Sequence, residues 1–191
     1  MNNLIAATEI DAWAKLNPRR AQELLPELIV RLILCTSSKI NDYNFPIEKG
    51  IQFSGYDGVL DSGEATSYFP EGKSVWEFGT NEDALGKFKS DIEKRHTEPL
   101  GVDINNTAFI FSTLKIWNHR TSIEEALNES RAKYNWKEIR IIDGAKIALW
   151  FLAVEKLLFQ KENLKNGLLW LKIMPIVLGI VVRLHTALDE F

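Results

Sequence analysis

The chain has 191 residues, of which 46% are hydrophobic and 26% are charged, and its formal net charge is −3. This composition is that of a globular protein long enough to bury a sizeable core, and a single cysteine excludes a disulfide framework. Proteins that bind nucleic acid are more often basic, so such a function would need a local basic surface on this acidic chain.

The N-terminus, Cys35 and residues 167–182 bear on the compartment of the protein. The N-terminus lacks the basic region and the long apolar run of a signal peptide, and Cys35 lies in an apolar run typical of a small buried side chain, so a cytoplasmic protein is predicted. Residues 167–182 are strongly apolar, but they are fewer than the roughly 20 that a spanning helix needs and include Lys172 and Pro175. A helix buried against the protein or a partner is therefore predicted there, with a membrane anchor as the weaker alternative.

The N-terminal third is predicted to be helical. A short helix is expected over residues 10–15, and a longer one over residues 19–35, where apolar residues recur at helical spacing. Asn17 and Pro18 supply its N-cap and first position. Pro26 lies inside the second helix and predicts a kink or a break.

The middle of the chain is predicted to start the sheet. Residues 36–49 form a loop in this interpretation, and three short strands follow at 51–53, 58–61 and 74–78. A helix then runs to Arg95, capped at its N-terminus by Thr80 or Asn81.

The remaining sequence alternates between strands and helices. Apolar residues fill 107–113, as in a central buried strand. The expected elements after it are a helix that begins with a capping box at residues 121–125, a strand at 137–142, a helix at 144–160, and two more helices at 161–171 and 176–188.

This order predicts an α/β fold with a mixed central sheet of about five strands flanked by helices, and a C-terminal helical extension. The early strands are close enough to pair antiparallel, whereas helices link the later ones as parallel crossovers require. We divide the chain into an α/β domain over residues 1–158 and an apolar extension over 159–191. The extension is expected to serve dimerisation or docking to a regulatory domain.

Two acids on neighbouring strands are the main candidates for chemistry. Asp57 begins one predicted strand and Glu77 lies inside the next, where they could converge on one divalent cation. Other interpretations stay open, because Asp57 could shape a turn and Glu77 could form a salt bridge with Lys87 or Lys73. Walker A, dinucleotide-binding, zinc and serine-hydrolase patterns do not occur in the sequence.

The order of elements, with Asp57 at the second strand and Glu77 on the third, resembles the PD-(D/E)XK restriction-endonuclease-like nuclease superfamily. The resemblance covers residues 18–145. It implies that the two acids bind Mg²⁺ or Mn²⁺ and that a lysine two residues after the second acid helps to activate water. Gly79 occupies that position here, so the resemblance assigns the role to Lys87 of the following helix, or to Lys89. It also makes Glu23 a further metal ligand, as in some relatives.

Two segments, WAKLNPRRAQELLPELIVRLIL and SVWEFGTNEDALGKFKSDIEKR, are similar to N-terminal domains of large bacterial proteins linked to anti-phage defence. This similarity implies a nuclease effector that is controlled by a partner domain or by self-association through the C-terminal helices.

Basic residues around the third strand and the following helix are candidates for contacts with nucleic acid, DNA first and RNA second. They are Lys73, Lys89, Lys94 and Arg95. Such side chains contact phosphates and carry little sequence information. The same residues could instead form a solvated helix face. Because Gly79 stands where a catalytic lysine is expected, the second functional hypothesis is a nuclease-like module that binds or scaffolds without cutting.

Overall fold

A five-stranded mixed sheet with helices on both faces lies at the centre of the protein, in a computed structural model that describes residues 6–46 and 55–162. It confirms the predicted fold class. The strands, in their order across the sheet, are β1 (Ile40–Asn44), β2 (Gly58–Ser62), β3 (Gly72–Gly79), β4 (Ala108–Thr113) and β5 (Glu138–Ile142). The helices are α1 (Ala7–Leu16), α2 (Pro18–Thr36), α3 (Ala84–Thr97), α4 (Ile123–Lys133) and α5 (Gly144–Glu162).

The strand directions are those expected from the connections. β1, β2 and β3 pair antiparallel, whereas β3, β4 and β5 pair parallel. The helices α3 and α4 connect the parallel strands, because a parallel crossover must carry the chain back to the starting end of the sheet.

Alternation along the strands separates two hydrophobic clusters. Trp76 and Ile110 face the cluster formed with α1, α2 and α5, whereas Val75, Phe109 and Phe111 face the cluster formed with α3 and α4. Because side chains on a strand alternate between faces, the face of Val75 is also that of the second residue after it. This alternation directs the Glu77 side chain toward α3 and not toward α2.

Several boundaries differ from the predictions. β1 lies within the predicted loop, since its exposed side chains carry no apolar pattern and its backbone pairing with β2 makes it a strand. The predicted strand at 51–53 lies outside the described residues. The N-cap of α3 is Asp83 and not Thr80 or Asn81, because the Asp83 carboxylate accepts a hydrogen bond from Gly86 N at 2.8 Å.

Two features of the helices also bear on the predictions. α2 passes through Pro26 as one α-helix, so the alternative of a break there was wrong. α5 runs across the boundary drawn between residues 158 and 159. The helices predicted at 161–171 and 176–188 fall almost wholly beyond residue 162, outside the described residues. In the described part of the chain, no helix has the length and apolarity to cross a bilayer.

Candidate active site

Asp57 and Glu77 meet at the junction of β2 and β3. Gly58 pairs with Trp76 in the antiparallel register, so Asp57, which precedes β2, lies across from Glu77 of β3. The Asp57 side chain is fixed there because its Oδ2 accepts a hydrogen bond from Phe78 N at 2.8 Å. The Asp57 carboxylate, just before β2, and the Glu77 carboxylate, on β3, therefore lie at the same end of this strand pair.

Glu77 is buried, with 4% of its surface exposed, and its partner comes from α3. Arg95 Nε donates to Glu77 Oε1, while Arg95 Nη2 donates to the carbonyl oxygen of Gly55. The guanidinium also lies 4.7 Å from the centre of the Tyr56 ring. Arg95 thus ties α3 to β3 and to the segment that leads into β2.

A third acid, Asp91, completes the cluster. It lies one helical turn before Arg95 on α3 and is 5% exposed. Its Oδ1 accepts a hydrogen bond from Lys87 Nζ at 2.6 Å, and its Oδ2 is buried without a hydrogen-bond partner. Lys87, Asp91 and Arg95 follow one another at four-residue spacing, so they lie along one side of α3.

The pKa values of Glu77 and Asp91 are both raised, in part by neighbouring acids. Burial raises the pKa of Glu77 to about 7, and the negative charge of Asp57 adds to this effect against the opposing pull of Arg95. Burial also raises the pKa of Asp91, where Lys87 opposes the rise and Asp57 adds to it. Burial and the neighbouring acids thus favour the protonated forms of Glu77 and Asp91, against the two cations Lys87 and Arg95.

The packing around Gly79 leaves no room for a side chain two residues after Glu77 on the strand. A Cβ atom at this position would lie 2.4 Å from Cζ of the buried Phe111 ring and 3.2 Å from Cγ of Lys87. The stem of Lys87 therefore passes directly beside Gly79. Its ammonium group reaches the acidic cluster from the helix.

Glu23 is not brought into this cluster. It lies on α2, which packs against the opposite face of the sheet. Its carboxylate pairs instead with Arg20 at 3.3 Å and with Arg19 at 3.5 Å, both on its own helix. A ligand role together with Asp57 and Glu77 has no support in this arrangement.

The residues predicted to contact nucleic acid separate into two kinds. Lys73, Lys89 and Lys94 are exposed, and Lys89 Nζ lies 2.9 Å from Glu129 Oε2. Lys73 is at the start of β3, about 13 Å along the strand from Glu77. Arg95 was assigned wrongly to this surface, because it is 6% exposed and its guanidinium is engaged with Glu77.

Sequence reasoning missed Asp91 as a member of the site and Arg95 as the partner of Glu77, since the alternative salt bridge of Glu77 named Lys87 or Lys73. A signal existed in the spacing, since Lys87, Asp91 and Arg95 recur every four residues beside the core positions Phe88 and Ile92. That spacing predicts one helix side, but not which strand residue the side faces.

The donor set fits a small divalent cation. Carboxylate oxygens are hard ligands, and Mg²⁺ in proteins is commonly held by one or two carboxylates together with waters and substrate phosphate. Within residues 6–46 and 55–162, no three His, Cys, Asp or Glu side chains meet closely enough to form a complete cage. Asp57 and Glu77 are the two carboxylates that would hold the ion.

Comparisons with protein-family models, with curated proteins and with solved structures found no match for this chain.

Proposed function

We propose that this protein is a divalent-cation-dependent nuclease that hydrolyses phosphodiester bonds, in DNA first and in RNA as the second substrate, and that it acts as an effector in bacterial defence. The observation that carries the proposal is that Asp57 and Glu77 lie close enough to interact, while the stem of Lys87 passes beside Gly79. The lysine fills the position beside Gly79 that a strand lysine would otherwise take. The defence role rests on the sequence similarity alone.

Each residue has a distinct role in the proposed reaction. Asp57 and Glu77 would hold Mg²⁺ or Mn²⁺, whose chemistry when bound is to neutralise phosphate charge and to lower the pKa of a water. Lys87 presents an ammonium group that stabilises the negative charge growing on the phosphate and orients the attacking water. In the hydrolysis, the water oxygen forms a new P–O bond, one ester P–O bond breaks, and the leaving oxygen takes up a proton.

Asp57 and Arg95 organise the site before any substrate arrives. The Phe78 amide fixes one oxygen of Asp57, and Arg95 fixes one oxygen of Glu77. Preorganised groups of this kind do not have to reorient during the reaction, which is the usual source of electrostatic catalysis. The exposed Lys73, Lys89 and Lys94 would supply contacts with the phosphate backbone.

One observation favours the second candidate, a nuclease-like module that binds or scaffolds without cutting. Glu77 already has a buried counter-ion in Arg95, so its charge is partly neutralised without a metal. Two carboxylates that are both engaged by protein donors would bind a divalent cation weakly, and cutting would then be absent.

A plasmid cleavage assay with Mg²⁺ or Mn²⁺ separates the two candidates. We expect the wild type to cut and EDTA to abolish cutting. Lys87→Ala should lower the rate by about 10²-fold or more, the usual effect of removing one group that stabilises the transition state. Lys133→Ala is the matched control, because Lys133 is 60% exposed, pairs with Glu93 and has no role in the proposed site.

Equal rates of cutting in Lys87→Ala and Lys133→Ala would overturn the role of Lys87 in the reaction. A wild-type protein that binds DNA equally well with and without EDTA and never cuts it would contradict the nuclease proposal. That second result would support the binding module.

A further inference from the structure

We propose that Tyr56 is a positioning residue of the site, whose ring holds the Arg95 guanidinium in the place from which it bonds Glu77. This inference rests on the proposed function, since Glu77 is one of the two carboxylates assigned to the cation. Tyr56 acts through Arg95 and is not itself assigned a contact with the cation or the substrate.

The first observation is the contact between the Tyr56 ring and Arg95. The Cζ atom of the guanidinium lies 4.7 Å from the centre of the ring, within the roughly 6 Å over which an aromatic face attracts a cation. Arg95 is buried, and such a contact is stronger where water is excluded. The ring therefore restrains the group whose Nε donates to Glu77 Oε1.

The second observation is that the ring is itself held in place. The Tyr56 hydroxyl donates a hydrogen bond to the carbonyl oxygen of Pro99 at 3.1 Å, just after the end of α3. The backbone of Tyr56 leads directly into β2. Because the ring is tied at its hydroxyl and at its backbone, it cannot turn away from Arg95 without breaking the hydrogen bond to Pro99.

The third observation is the place of Tyr56 in the chain. The residue before it, Gly55, accepts a hydrogen bond from Arg95 Nη2 through its carbonyl oxygen. The residue after it, Asp57, accepts one from Phe78 N at 2.8 Å. Three consecutive residues therefore contact either α3 or β3, and the middle one supports the partner of Glu77 while it adjoins the other acid. A displacement of about 1 Å in such a site can cost about 10²-fold in rate.

The experiment follows the Nε–H signal of Arg95 by NMR in the ¹⁵N-labelled full chain, without metal or nucleic acid. A charge-assisted hydrogen bond to a buried carboxylate should shift this signal downfield and slow its exchange with water. Arg95→Lys, which has no Nε–H group, assigns the signal. Tyr56→Leu removes the ring and should move the signal toward that of an exposed arginine, whereas Tyr56→Phe keeps the ring and should preserve it. Tyr43→Leu is the matched control, because Tyr43 is 45% exposed on β1.

Plasmid cleavage gives the functional readout of the same variants. Tyr56→Leu should lower kcat by about 10- to 100-fold and leave KM nearly unchanged, because the exposed lysines that would contact the phosphate backbone are intact. Tyr56→Phe should recover most of the rate. A ring that only stabilised the fold would not produce this split between kcat and KM.

A further measurement needs no variant, so a folding defect cannot obscure the result. In the wild-type protein, a nuclear Overhauser effect should connect the Nε proton of Arg95 with the ring protons of Tyr56. Its absence would overturn the inference.

The remaining outcomes separate the inference from the function beneath it. An unchanged Arg95 signal in folded Tyr56→Leu, or equal losses in Tyr56→Leu and Tyr56→Phe, would overturn the role of the ring and leave the nuclease proposal standing. A wild-type protein that never cuts would overturn the nuclease proposal, while loss of the Arg95 signal in Tyr56→Leu alone would still support the contact among Tyr56, Arg95 and Glu77.

Discussion

Replacement of Glu77 by glutamine should change how the stability of the metal-free protein depends on pH. Burial of the carboxylate and the nearby charge of Asp57 raise the pKa of Glu77 from 4.5 to about 7. The unfolded chain keeps the ordinary value. Between these two values the folded protein therefore binds a proton that the unfolded chain has already released.

The sign and size of the effect follow from this difference. Stability falls with rising pH wherever the native state binds more protons than the unfolded state. The contribution is complete below pH 4.5 and is lost as the pH rises through about 7. At about 1.4 kcal/mol per pKa unit, the loss amounts to about 3 kcal/mol. Glu77→Gln does not titrate, so it should gain about this much relative to the wild type between pH 4.5 and 7.5.

Thermal unfolding followed by circular dichroism in EDTA measures the effect. For a chain of this length, about 1 kcal/mol shifts Tm by roughly 2–4 °C, so the difference in Tm between variant and wild type should drift by about 10 °C across the range. Glu93→Gln is the control, because its carboxylate is exposed on the surface of α3. A difference in Tm that stays constant from pH 4.5 to 7.5 for Glu77→Gln would refute the reasoning.

Three further predictions concern the surroundings of the site. Gly79→Ala should cost about 1–3 kcal/mol in urea unfolding, because its Cβ would lie 2.4 Å from the Phe111 ring, and Phe111→Leu should recover part of that loss in the double variant. An unchanged urea midpoint for Gly79→Ala would contradict the close contact. Arg95→Gln should cost about 3–5 kcal/mol above pH 7, where Glu77 is left charged and unpaired, and clearly less at pH 5. Equal losses at both pH values would show that the pair is not what Arg95 contributes. Ser122→Ala should cost about 1 kcal/mol through loss of the N-cap of α4, and an effect below a few tenths would argue against that cap.

Local patterns in the sequence were sufficient for several elements. The apolar run that became β4 is buried at every position, as its composition predicts for a central strand. The capping box at the start of α4 forms as expected, with Ser122 and Glu125 exchanging hydrogen bonds of 3.1 Å and 2.7 Å. In both cases the signal is short-range, because capping and burial depend on residues that are neighbours in the chain.

Contacts between residues distant in the chain could not be predicted from local patterns. β1 has no apolar alternation of its own, and it is a strand only because its backbone pairs with that of β2. The ion pairs of Glu77 and Lys87 also escaped prediction. Helical spacing predicts that Lys87, Asp91 and Arg95 share a side, but the angle at which α3 docks on the sheet determines which acid each cation meets.

By itself, the sequence determined the first two helices and the order of elements from β2 onward. Those properties follow from the periodicity of strands and helices, which is a property of the local chain. Only the tertiary structure decided that Arg95 is buried against Glu77, that Asp91 lies near Asp57 and Glu77, and that Glu23 remains on the far side of the sheet. Such contacts join residues distant in the chain, and packing of the two hydrophobic clusters sets their geometry.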